Sequence, residues 1–299
     1  MDIDRVLREV RVEPGRRAGL AQRPTDWREE PELRRLNSEE LEARARSVIA
    51  ASLEDLRGAQ EMLWADDRWS LLVVLQAMDA AGKDGAIKHV MSGVNPQGCS
   101  VHPFKAPSAE ELDHTFLWRC MKAAPARGQI VIFNRSHYEE VLVARVHPEV
   151  LERQRLPEGK RGRKFWQERF EDINAFERHM ARNGVRIVKF FLHISKGEQK
   201  KRLLARLDDP DKRWKFDPGD VSERRRWDDY MEAYEDAITQ TSTEWAPWHV
   251  VPADHKWVSR AILASVIAHE IRALDLSFPS VGPEQRRRLE QARLDLESE

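Results

Sequence analysis

The stretch Ala77-Met78-Asp79-Ala80-Ala81-Gly82-Lys83-Asp84-Gly85 carries an apolar run into small residues, a lysine and acids. Small residues let a backbone approach a ligand closely. A strand–loop–helix turn aims its N–H groups at one point, where Lys83 adds a full positive charge. This is phosphate-binding chemistry, with a simple strand-to-helix turn as the plain alternative. The stretch departs twice from the pattern G-x-x-x-x-G-K-[ST]: Ala77 takes the first glycine slot, and Asp84 stands where a magnesium-holding hydroxyl would sit. Asp79 is the odd member, because a carboxylate in an anion-binding loop is repelled unless a cation lies between them. Mg2+ held partly by Asp79 is therefore expected, against an Asp that merely caps the helix. Asp84 is either substrate-facing or a first-turn acid favoured by the helix dipole.

A second cluster, "IVIFNRSHYEEVL", runs a strand into Asn134-Arg135 and then Tyr138-Glu139-Glu140. Ligands of doubly wound sheets gather at the C-terminal strand ends, so this tip is expected to face the same crevice. Asn134 occupies the place where such a strand delivers a metal-binding Asp. Arg135 can chelate phosphate oxygens with its planar fork, and Glu139 can replace the missing anionic ligand. Asp79, Asn134 and Glu139 are thus the metal candidates. The alternative is an Arg135 ion pair with Glu139 or Glu140 that only fixes the turn.

The elements that must position these residues alternate. Strands are expected at 71–77, 129–134, 185–194 and 248–253, with an extended piece at 99–104. Helices are expected after Lys83, near Ser108, over Tyr138 to Val146, over 165–184, from Ser195 to Leu207, over 220–242 and from Asp254 to Leu274. Nearly continuous apolar strands alternating with helices predict an α/β fold with a parallel sheet flanked by helices. Residues 1–58 read as an N-terminal helical extension, with Asn37-Ser38 a cap for a long helix. Residues 59–278 read as the α/β domain, and 279–299 as a solvated or partner-contacting helical tail.

Composition narrows the classes. Fifty basic and 51 acidic residues in 299 leave a net charge of −1, so no global field advertises a nucleic-acid partner and any polyanion site is local. Two isolated cysteines, Cys99 and Cys120, suggest neither disulfides nor a zinc cluster. No apolar run approaches the ~18 residues of a membrane span, and the N-terminus lacks the apolar core of a signal peptide. A cytoplasmic protein is the expectation.

Five separated blocks, "AMDAAGKDGAIKHVMSGVNPQG", "IVIFNRSHYEEVL", "DKRWKFDPGD", "RRRWDDYMEAYEDAITQTST" and "APWHVVPADHKWVSRA", together resemble the family-2 polyphosphate kinases over about residues 30–275. The resemblance implies a P-loop kinase fold and phosphoryl transfer between inorganic polyphosphate and nucleotides. It makes Asp79 before Ala80-Ala81-Gly82-Lys83, with Asp84 in place of a Ser or Thr, the family's own loop variant, while Ala77 stands where other members often have Gly. The form Phe133-Asn134-Arg135-Ser136-His137-Tyr138-Glu139 is similar to the class III branch, which accepts AMP and ADP, with Glu139 at the position that separates the classes. The resemblance also implies a homo-oligomer, dimer or tetramer, and a lid at about 208–225 carrying Lys212 and Arg213. By position, Asp79, Lys83, Arg135 and Glu139 are the expected catalytic set. A polyanionic donor calls for cations along a groove, and the candidates are Lys83, Lys88, Lys105, Arg119, Arg135 and Arg178, beside the loop residues Ala80, Ala81, Gly82, Asp84 and Gly85 and Asn134. The helix "RRRWDDYMEAY" reads as packing, and His137 and His147 as structural. An ATP-dependent small-molecule kinase and a non-catalytic polyanion or nucleotide sensor remain as rivals.

Overall fold

The computed structural model describes residues 2–27 and 35–299; residues 28–34 of the expected N-terminal extension lie outside the described residues. In chain order the elements are α1 (Ile3–Val10), β1 (Arg11–Val12), α2 (Ser38–Asp66), β2 (Ser70–Ala77), α3 (Lys83–Val90), β3 (Cys99–Pro103), α4 (Ala109–Leu112), α5 (Trp118–Lys122), β4 (Ile130–Asn134), α6 (Val143–Val146), α7 (Pro148–Glu152) and α8 (Arg163–Arg182). They continue with β5 (Val185–His193), α9 (Lys196–Asp208), α10 (Gly219–Arg225), α11 (Trp227–Thr241), β6 (Trp248–Pro252), α12 (Lys256–Arg272) and α13 (Pro283–Glu297).

The sheet order is β1-β6-β5-β2-β4-β3. Strands β2 to β6 run parallel, and β2 sits between β4 and β5, with Leu75 opposite Asn134 on one side and Phe190 on the other. The chain leaves β2 toward one edge and returns past it to the other, which makes the C-terminal end of β2 the switch point where a ligand crevice opens. All eight residues of β2 are buried, as helices on both faces require. One cover is α12, apolar almost all round, which packs between the sheet and α2. The Asn37 side chain caps α2 by accepting from Glu39 and Glu40 N–H groups, while the Glu40 carboxylate accepts from the Asn37 N–H.

Three local features differ from the sequence reading. The segment 1–58 is not helical throughout: Arg11–Val12 pairs antiparallel with β6 and closes that sheet edge. The expected helix over 220–242 breaks at Arg226, separating α10 from α11. The expected helix over Tyr138–Val146 is instead a 3-10 turn at His137–Glu140 followed by the short α6.

Buried anchors explain the last of these. The Lys189 ammonium donates to Glu177 (2.5 Å), to the Tyr138 hydroxyl (2.8 Å) and to the Thr241 carbonyl (2.7 Å). Tyr138 donates to the other Glu177 oxygen at 2.8 Å, and the His137 ring reaches the same atom at 3.2 Å. All four side chains are fully buried. Burial raises the Glu177 carboxyl, but the Lys189 charge and His137 overcome it and hold Glu177 below the usual carboxylate range. Such a pair adds little net stability, because desolvation offsets the attraction. Its consequence is geometric: it nails residues 137 and 138 inward, so the turn cannot follow helical rotation and Glu139 emerges on the other side.

His249 on β6 has a different energetic role. It is buried against the Lys189 carbonyl (3.2 Å), and burial drives its pKa from 6.5 to about 4. Above pH 6.5 it is neutral whether folded or unfolded. As pH falls from there toward 4, the unfolded chain binds a proton that the folded protein refuses, so stability is lost. The thermal midpoint is expected to fall through this window. His249→Gln should flatten the slope by up to about one proton; an unchanged slope in calorimetry across pH 4–7 would assign the loss to other groups.

Candidate active site

The chain leaves β2 at Ala77 and turns through two left-handed residues, Ala80 (φ +59°) and Gly82 (φ +105°), before α3 begins at Lys83. Gly82 needs no side chain to adopt this shape; Ala80 adopts it at a cost of about 1–3 kcal/mol. The turn is held from behind. Arg202 of α9, buried, donates to the carbonyls of Ala80 (3.2 Å) and Ala81 (2.8 Å) and to those of Ala253 (2.7 Å) and Asp254 (2.9 Å) beyond β6. Its Nε donates to Glu198 at 2.8 Å. Gln199 donates to the Asp79 carbonyl at 3.1 Å. Lys83 donates to the Ala77 carbonyl at 3.0 Å. Burial and the nearby Arg135 charge lower the Lys83 pKa, opposed by Asp79, Glu139 and Asp84.

The neighbouring tip, after β4, brings Arg135 up in a left-handed conformation (φ +63°), its N–H bonded to the Leu75 carbonyl of β2 at 3.1 Å. The Arg135 guanidinium lies between Asp79 (3.3 Å) and Glu139 (3.6 Å). Carboxylates from both strand tips therefore share one cation. The Glu139 charge raises the Arg135 pKa. Burial raises Glu139 itself, while Arg135, Lys83 and a hydrogen bond from Gln76 pull it down. Asn134 donates its amide to Asp84 at 2.8 Å, joining the tip of β4 to the first turn of α3.

Two cavities meet at this point. The larger, about 720 Å³, is walled by the loop from Asp79 to Gly85, by Lys105, Asn134 and Arg135, and by Arg202, Arg206, Lys212, Lys256 and Arg260. The smaller, about 310 Å³, is walled by Asp79, Arg135 and Glu139, then by Val143, His147, Glu149, Val150 and Arg153, with Glu223, Tyr230 and Tyr234 opposite. Asp79 and Arg135 line both.

The cleft gathers most, but not all, of the expected residues. Asp79, Ala80, Ala81, Gly82, Lys83, Asp84, Gly85, Lys105, Asn134, Arg135 and Lys212 face it, and Glu139 faces the smaller cavity. Lys88 lies exposed farther along α3, outside the wall. Arg119 lies outside that wall: largely buried, it donates to the Lys105 carbonyl (2.8 Å), lies over Phe104, and lines a neighbouring cavity with Lys105 and Lys122. Arg178 points from α8 over the Trp245 ring, 5.1 Å away. Arg213 is turned back onto the Leu207 carbonyl at 2.7 Å.

Sequence reasoning missed Arg202, Arg206, Lys256 and Arg260. Each pair has an i,i+4 spacing at a helix that follows a strand tip, which was the available signal. It also took Tyr230 and Tyr234 for packing and His147 for a structural residue, whereas all three line the smaller cavity.

The expected metal donors do not converge as a cage. Arg135 stands between Asp79 and Glu139, Asn134 is engaged with Asp84, and among the described residues no three His, Cys, Asp or Glu side chains form a metal-holding group. The donor chemistry nevertheless fits a hard cation. Magnesium-type ions are commonly held by one or two carboxylates, with substrate phosphates and water completing the shell, and Asp79 presents a part-exposed carboxylate to both cavities.

Comparison with known proteins gives this geometry a family. The chain is 51% identical over 250 residues to an "ADP-polyphosphate phosphotransferase" of Rhodopseudomonas palustris, covering 83% of this chain and 86% of that protein. It is 47% identical to an "AMP/ADP-polyphosphate phosphotransferase" of Meiothermus ruber, covering 79% and 83%. A crystal structure of polyphosphate kinase 2 from Arthrobacter aurescens superposes with a TM-score of 0.81 at 39% identity, over 96% of this chain and 97% of that one. The family described as Polyphosphate kinase 2 matches residues 38–279, a span that holds the phosphate loop, both strand tips and every wall of the two cavities, and the chain belongs to that family.

Proposed function

We propose that the protein transfers a phosphoryl group from inorganic polyphosphate to AMP and to ADP, forming ADP and ATP. The observation that carries this reading is the pair of unlike cavities sharing Asp79 and Arg135. A long anion needs a run of cations, which the larger cleft offers in Lys83, Lys105, Arg206, Lys212, Lys256 and Arg260. A mononucleotide needs a compact pocket with apolar and hydrogen-bonding walls, as the smaller one has in Val143, Val150, Tyr230 and Glu149. An acceptor phosphate laid against Arg135 would then meet the terminal phosphate of the donor at the common wall.

In the transfer, an acceptor phosphate oxygen forms the new P–O bond and the terminal anhydride bond of the donor breaks, leaving its oxygen on the shortened chain. Little covalent help is needed, since such reactions depend on positioning and charge neutralisation. The acceptor oxygen is already largely ionised at neutral pH, because the second pKa of a phosphate monoester is about 6. Asp79 and Glu139 are therefore assigned to holding charge and not to removing a proton. A divalent cation, when bound, would supply positive charge against the phosphates, and Asp79 is the residue best placed to hold it, with Glu139 and the Asn134 side-chain oxygen as further donors. Lys83 and Arg135 steady the phosphates from the protein side.

Magnesium as the cation is supported by the hard oxygen donors. A lid over 208–225, a dimeric or tetrameric assembly, the absence of a nucleic-acid partner and a cytoplasmic location complete the reading, supported by the family resemblance and the even charge balance.

One assay tests the reaction and the role of Glu139. Purified protein with AMP, magnesium and polyphosphate, and no ATP, is expected to yield ADP and then ATP; an ATP-requiring small-molecule kinase would yield neither. In the same assay Glu139→Asn should lower kcat/KM for AMP about tenfold more than for ADP, the worth of one charge-assisted hydrogen bond. Equal losses with both acceptors would remove Glu139 from acceptor selection.

A further inference from the structure

We propose that Gln199 is a positioning residue that makes the setting of the Asp79 backbone depend on the docking of α10. The inference rests on the reading that Asp79 belongs to the transfer site.

Gln199 is 1% exposed, between the phosphate loop and α10. Its Nε2 donates to the Asp79 carbonyl at 3.1 Å, and its Oε1 accepts from Arg224 of α10 at 2.8 Å. The orientation of this amide is dictated by chemistry. Arginine only donates, so Oε1 must face Arg224, and the NH2 group is thereby forced toward the loop carbonyl. Arg224 is itself seated on the Lys196 carbonyl at 2.7 Å.

The same short helix reaches both substrate cavities. Asp220 pairs with Arg206 of the larger cleft at 3.3 Å. On the other side, Glu223 accepts from His147 (2.9 Å) and from the Tyr230 hydroxyl (2.6 Å), both on the wall of the smaller cavity. Filling either cavity therefore bears on how α10 sits, and Gln199 connects α10 to the loop between them.

If Arg224 leaves, Oε1 is buried without a donor, a cost that draws the side chain toward another donor and away from the Asp79 carbonyl. Undocking of α10 thus releases the loop by a defined step and not by general loosening.

Three variants separate this relay from simple structural support. Gln199→Leu removes both bonds, Arg224→Gln removes the bond from α10, and Gln199→Glu keeps an acceptor for Arg224 while setting a carboxylate against the Asp79 carbonyl. Each is expected to lower kcat about tenfold, with KM for AMP and polyphosphate nearly unchanged. The Gln199→Leu/Arg224→Gln double variant should be no slower than either single one, because both break one chain. Wild-type kcat in Gln199→Glu would overturn the relay, leaving only an anchor for α10. Additive losses in the double variant, or a fall in thermal midpoint that tracks kcat, would overturn it as well. Asp79→Asn run alongside keeps the two readings apart: full activity there would refute the site assignment, whereas its loss with normal Gln199→Glu turnover would refute the relay alone.

Discussion

Lys83→Met is expected to lower kcat on the order of 10²–10³-fold, the scale seen when one preorganised donor to a developing negative charge is removed. Methionine keeps much of the unbranched stem and loses the charge. Lys83 opens α3 directly after the left-handed Gly82, and its ammonium rests on the Ala77 carbonyl at 3.0 Å. Burial already disfavours its charged form, so the charge is not there for stability. The variant should unfold at a temperature no lower than the parent, while turnover with AMP or ADP nearly vanishes. KM for polyphosphate should move only a few-fold, because Lys105, Arg206, Lys212, Lys256 and Arg260 still line the cleft. Turnover within tenfold of wild type would remove Lys83 from the reaction, as the non-catalytic sensor reading requires.

The contrast between the two cavities explains why a protein of net charge −1 can serve a polyanion. Its cations are not in excess; they are sorted. The larger cleft sets its lysines and arginines against Asp79 and Asp84, whereas the smaller adds Glu139, Glu149 and Glu223 around Arg135, Arg153 and His147. On the proposed reading, a phosphate chain would be repelled from the second and drawn to the first. On the same reading, a nucleotide with a single phosphate group would enter the second with its phosphate toward Arg135.

The strand–loop–helix turn after β2 and the second strand tip were legible because each lies in one contiguous stretch next to an apolar strand. The alternation of strands and helices fixed the parallel sheet for the same reason, since β2 and β5 are buried almost end to end. Features set by distant partners were not legible. The 3-10 turn at His137–Glu140 depends on Glu177 and Lys189, 39 and 51 residues from Tyr138. The strand β1 is two residues long and exists only through its pairing with β6. Cations on helices were the hardest to sort. Arg178 and Arg202 both occupy amphipathic helices, and only tertiary packing turns one toward Trp245 and the other beneath the phosphate loop.

Arg202 is consequently the residue outside the two motifs whose loss should matter most. Its guanidinium spends its donors on four carbonyls in two loops and on Glu198, which fastens the loop after β2 to the loop after β6. Arg202→Lys keeps the charge but offers three donors from a single point, too few and too closely set for that span. At least one buried carbonyl is then left without a partner, and the left-handed turn at Ala80 loses the bond that holds it. Displacing the loop by about 1 Å is enough to cost roughly 10²-fold in rate. The expected result is a fall of that size in kcat/KM with a lower thermal midpoint, in contrast to Lys83→Met, where stability is kept. Amide hydrogen exchange should quicken over 79–86 and over 253–255 together, because one side chain ties both segments. Exchange that quickened in the first segment alone, or activity within threefold of wild type, would show that the two loops are set independently and that the charge of residue 202, not its fork, is what the site requires.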